Sequence, residues 1–140
     1  MKRFLAAILA GALVSQAATE DERVATRADV LELAGAWSND GFKIRDGHWT
    51  GDLSPAEPKR VQVNLFAGNH YWFSVVAAAR AKEVSVTVFD ESGKPVITEP
   101  YTDGVRAAAG FSPKISGPYY VQVSTKEGSR TAFCLIYSYK

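Results

Sequence analysis

The sequence has a single cysteine, Cys134, so no disulfide can form within the chain. It has one methionine and two histidines, His48 and His70, which leaves few candidates for histidine catalysis or a histidine-rich metal site. A zinc site needs three or four ligands at settled spacing, and a His-Glu-x-x-His helix is absent. A Gly-x-Ser-x-Gly elbow is absent too, so neither usual framework for hydrolysis is present. Charge of one sign is also missing: 16 basic residues stand against 15 acidic ones. No basic cluster is interleaved with aromatics, so the chain has no electrostatic footprint for nucleic acid.

One apolar run stands out. Met1, Lys2 and Arg3 form a basic start, Phe4 to Val14 is apolar and uncharged, and Ser15, Gln16 and Ala17 are small or polar. Basic, apolar and small in that order is the pattern of an export signal, and the run is too short for a permanent membrane helix. Residues 1–17 are therefore expected to be removed, by cleavage after Ala17 or Ala18, giving a periplasmic or extracellular protein with no membrane attachment. Loss of Lys2 and Arg3 leaves 14 basic residues against 15 acidic, a net charge of −1.

Residues 18–28 are polar and charged and read as a flexible lead-in. Val30, Leu33, Ala34 and Trp37 then fall at i, i+3, i+4 and i+7, which predicts a short helix over Asp29–Trp37, with Thr26 or Asp29 as its cap and Gly35 or Asn39 at its end. Asn39-Asp40-Gly41, Asp46-Gly47, Gly51-Asp52 and Ser54-Pro55 mark residues 38–58 as loops, with one edge strand at Phe42-Lys43-Ile44.

From Lys59 the apolar period becomes two. Val61, Val63 and Leu65 form one set, Tyr71, Phe73, Val75 and Ala77 the next, and Val84, Val86 and Val88 a third. A short strand over Pro95–Thr98 follows the Glu91–Lys94 turn. Val105 to Phe111, Tyr119 to Val123 and Thr131 to Tyr139 complete the series. No crossover helix separates these strands, so the pattern predicts a mostly β protein: an antiparallel, jelly-roll-like β-sandwich of about seven to eight strands. Its expected division is an N-terminal segment, 18–58, packed on a sandwich of residues 59–140.

Candidate chemistry is sparse. Asp46, His48 and Asp52 form the best acid–base or metal cluster, and would serve a small metal-dependent hydrolase. Neither Asn39-Asp40-Gly41 nor Asp90-Glu91-Ser92-Gly93 meets the Asp-x-Asx-x-Asx-Gly pattern of an EF-hand, so calcium has no sequence support beyond a possible carbonyl-rich site. Cys134 sits in an apolar run and reads as a small buried hydrophobe. The outward phase of the strands offers more: Gln62, Asn64, Trp72, Ser74, Ser85, Thr87, Tyr120 and Gln122. Amides and aromatic faces suit sugar or peptide recognition. Trp72, Tyr120, Gln62, Asn64 and Gln122 are the candidate ligand-binding residues, with Trp72 as platform if it is not covered by the helix.

Val63–Tyr71, with its Ala67-Gly68 turn, is followed by Val84–Val96 around Asp90-Glu91-Ser92-Gly93. Ser116-Gly117-Pro118-Tyr119-Tyr120-Val121-Gln122-Val123 comes later, and Thr131–Tyr137 would close the sheet. This order resembles the bacterial pre-peptidase C-terminal domain, a jelly-roll-like β-sandwich found beside secreted peptidases. The resemblance implies an accessory, non-catalytic role in binding a substrate or matrix. No peptidase domain accompanies the module in this sequence. Some related collagen-binding modules hold calcium, but no residue here matches that motif. The expectation is a binding module for a carbohydrate polymer, a wall polymer or a secreted protein. The alternatives are the hydrolase above and a structural or inhibitory protein acting through its surface.

Overall fold

The computed structural model describes residues 19–140; the expected export signal, residues 1–17, lies outside them. In chain order the elements are α1 (Glu20–Ser38), β1 (Lys43–Ile44), β2 (Trp49–Leu53), β3 (Lys59–Leu65), β4 (Tyr71–Ala77), β5 (Ala81–Lys82), β6 (Ser85–Phe89), β7 (Glu99–Asp103), β8 (Arg106–Phe111), β9 (Gly117–Ser124), β10 (Glu127–Gly128) and β11 (Thr131–Tyr139).

Helix α1 begins nine residues earlier than the apolar period suggests, so residues 20–28 are helical rather than a flexible lead-in. The Thr19 hydroxyl accepts from the Glu22 backbone N–H at 3.2 Å, capping the first turn. Glu20, Asp21 and Glu22 place negative charge at the positive end of the helix dipole. The buried stripe runs through Thr26, Val30, Leu33 and Ala34 to the half-buried Trp37. Thr26 hid the first half of that stripe, because a hydroxyl looks polar in sequence. Here it donates to the Arg23 carbonyl at 3.0 Å and is buried at no hydrogen-bond cost. Two ion pairs hold the same half down: Arg80 to Glu22 at 2.8 Å and Arg23 to Asp52 at 3.6 Å.

The strands form an open antiparallel β-sandwich, as the period-two pattern predicts, not a closed barrel. The larger sheet runs β1-β11-β4-β8-β7, with β2 also paired to β11. The smaller is β3-β9-β6, and β5 and β10 make a separate two-residue clip. Phe73, Val75, Leu135, Ala107 and Ala109 of the large sheet meet Val63, Leu65, Val88 and Val121 of the small one in the main core. The opposite face of the large sheet carries Val76, Cys134 and Ile136, and α1 covers it with Val30, Leu33 and Ala34. The molecule is thus three layers, and the large sheet is buried on both faces.

Two stretches differ from the sequence expectation. Trp49–Leu53 reads as loop because of Gly51-Asp52, yet it pairs with β11 from Leu135 to Thr131. Glycine fits there for a packing reason: a Cβ on Gly51 would lie 3.2 Å from the Phe133 ring. Pro95–Thr98 is not a strand. It makes one bridge, Pro95 to Phe89, and Ile97 is 96% exposed. The strand comes just after it, as β7, whose five residues are all exposed at the sheet edge. With no buried phase, β7 has no alternation to read.

Candidate functional site

Of the five candidate binding residues, the fold brings four together. Gln62 lies opposite Tyr120 in the β3–β9 ladder, and Gln122 lies opposite Arg60, on the outer face of the small sheet. Asn64 is two residues along from Gln62 on that face. Arg60 donates to the Gln122 side-chain carbonyl at 2.9 and 3.2 Å and sits 4.2 Å from the centroid of the Phe89 ring, so Gln122 is already engaged. Trp72 is elsewhere. It is on β4, facing the helix, where its ring stacks on Trp37 at 3.9 Å with the planes 3° apart. The Trp37 indole N–H donates to the Ser74 hydroxyl at 2.9 Å, and Ser74 is fully buried rather than outward.

Asp46, His48 and Asp52 do not form one site. Asp46 and His48 line a small hollow of about 180 Å³ with Arg27 and Arg45. Asp52 lies near the far end of β2, paired with Arg23 and Arg130 at 3.6 and 3.2 Å. Among the described residues, no group of three or more histidine, cysteine, aspartate and glutamate side chains is placed to hold a metal ion. The closest nucleophile–base contact is Ser112 to His70 Nδ1, on the surface. No carboxylate among the described residues hydrogen-bonds that ring, so the orienting member of a triad is missing.

A cleft of about 640 Å³ opens where β3, the edge of the small sheet, faces the β1–β2 connection and the end of β11. That size is ordinary for a small-molecule or oligomer-end site. Its floor is aromatic. The Trp49 and Tyr137 rings lie near parallel at 5.8 Å, and Tyr71 meets Tyr137 edge-on at 6.1 Å. Its rim carries Phe66, 61% exposed, and Tyr139, 38% exposed. Gln62, Asn64 and Asn69 supply amides and Arg45 a guanidinium. The Phe66 N–H and the Asn69 amide both donate to the Tyr71 hydroxyl, at 2.9 and 3.2 Å, which fixes the turn beside the cleft. Burial pushes the Tyr137 phenol above its ordinary range, and the Arg45 guanidinium, 5.2 Å from its ring centroid, opposes that.

Sequence reasoning found Gln62 and Asn64 but missed the rest of this lining. β11 is apolar on both phases, so nothing in its sequence assigns Tyr137 to the cleft. Phe66 did leave a signal: an apolar residue directly after the inward Leu65, on the outward phase, where a solvated face calls for a polar one.

No protein-family model matches the sequence, and no curated protein matches it as a relative. Among the described residues no helix is long and apolar enough to cross a membrane.

Proposed function

We propose that this protein is a non-catalytic binding module that acts after export and holds a glycan chain in the cleft between β3 and the β1–β2 connection. The observation that carries this reading is the composition of the lining: stacked aromatic rings, three amides and no carboxylate or histidine. Sugar rings present apolar faces to aromatics and hydroxyls to amides, so this lining matches both halves of a carbohydrate surface. Hydrolysis of a glycoside would need two facing carboxylates, and none lines the cleft. The accessory role implied by the likeness to pre-peptidase C-terminal domains agrees with this assignment, and the basic–apolar–small order of Met1–Ala17 supports export.

Affinity electrophoresis through gels containing xylan, hydroxyethylcellulose, polygalacturonate or alginate tests it. The protein should be retarded by at least one polymer, and Phe66→Ala and Asn64→Ala should each relieve the retardation while leaving the melting curve unchanged. Free migration through all four, or retardation indifferent to both substitutions, would refute the reading.

A further inference from the structure

We infer that the glycan held in this cleft is acidic, and that Arg45 reads a sugar carboxylate; the inference rests on the binding function proposed above. Arg45 follows directly after β1, and its backbone N–H donates to the Tyr137 carbonyl at 3.0 Å, so the residue is pinned to the cleft wall. Its guanidinium lies 5.2 Å from the Tyr137 ring centroid, on the aromatic floor.

Four other arginines are already engaged. Arg23 and Arg130 pair with Asp52, Arg80 pairs with Glu22, and Arg60 is held by Gln122. Arg45 makes no ion pair among the described residues, and the cleft lining contains no acid to neutralise it. Its chain neighbour Asp46 is outside the cleft lining: it borders the adjoining small hollow, which Arg45 shares with Arg27 and His48, and Asp46 forms no ion pair with Arg45. The cleft therefore presents one cation, in a planar fork suited to a carboxylate, beside rings suited to sugar faces. A uronic-acid unit offers both features at once. An acidic peptide shares the charge but not the flat array of hydroxyls that three amides can address.

The test compares polygalacturonate, alginate and hyaluronan, each with carboxyl groups free or methyl-esterified, by isothermal titration at low and high salt. The expected result is that at least one free-acid polymer binds about tenfold more tightly than its ester, as a charge-assisted contact of this kind supplies. Arg45→Gln should abolish that difference, and Phe66→Ala should weaken both forms.

Equal affinity for acid and ester, with Phe66→Ala still weakening both, would overturn the inference and leave the glycan reading standing. An acid preference that survives Arg45→Gln would also overturn it, since the charge would then be read elsewhere. Equal binding of polyglutamate would assign the cleft to acidic peptides. Absence of binding to every form, together with free migration in the electrophoresis, would remove the glycan reading and the inference together. Arg45 is exposed, so the variant should fold, and an unchanged melting curve checks this.

Discussion

The indoles of Trp37 and Trp72 stack between the helix and the large sheet, and beneath them β8 carries Gly110. A Cβ on Gly110 would lie 2.9 Å from Trp72 Cζ2, so the glycine makes room for the ring. Trp72 is thus a packing residue, and Trp72→Ala should lower stability by about 3 kcal/mol, less if the site collapses, as read from urea unfolding. Gln62→Ala, exposed on the other sheet, should move it by no more than about 0.5 kcal/mol. Equal small effects would mean that the stack contributes little.

Cys134 makes a second test at the same scale. Burial pushes its thiol from an ordinary 9.0 up to about 11, against a small opposing pull from Arg27. Because the folded value is the higher one, this group's contribution to stability is complete below pH 9 and is lost as pH rises through 11. At pH 8 the thiol stays protonated and covered by α1, so labelling by a disulfide reagent should follow unfolding. Fast labelling of the native protein would show that the helix does not cover it.

At the scale of elements, α1 does more than decorate the sandwich. It covers Val76, Cys134 and Ile136, which would otherwise form an exposed apolar patch on a two-faced sheet. Limited trypsin digestion should therefore spare Arg23 and Arg27 in the native protein. Val30→Ala, which removes two methyl groups from a fully buried site, should cost about 2 kcal/mol and hasten cleavage at both. Rapid native cleavage at Arg23 would return residues 18–28 to the flexible segment that their polarity suggests.

What was legible in the sequence follows from which residues have a single buried phase. β3 and β9 alternate cleanly because one face meets the core and the other meets water, and their register places Gln62 against Tyr120. β11 is buried along almost its whole length on both faces, so its alternation is erased and Tyr137 could not be assigned a direction. β7 fails for the opposite reason, since none of its residues is buried. Trp49 was hidden by the glycine two residues after it, which looks like a turn and is in fact a close approach to Phe133.

At the scale of the molecule, the described residues stack a helix, a six-stranded sheet and a three-stranded sheet in successive layers, and the tryptophans report on two separate places. Trp37 and Trp72 lie between the first two layers, beside a broad surface groove that also includes His70, Ile97 and Glu99. Trp49 lies in the aromatic cleft, where the two sheets part. A ligand in the cleft must therefore disturb one indole and leave the other two alone.

The most direct measurement is a proton–nitrogen correlation spectrum of the labelled protein titrated with oligomers of polygalacturonate, alginate and hyaluronan in turn, at least one of which should bind. The account predicts that the Trp49 indole N–H and the Asn64 and Asn69 side-chain amides shift together on one binding curve, while the Trp37 and Trp72 indoles stay in place. Shifts confined to Trp37 and Trp72, or none at any of these groups, would contradict it.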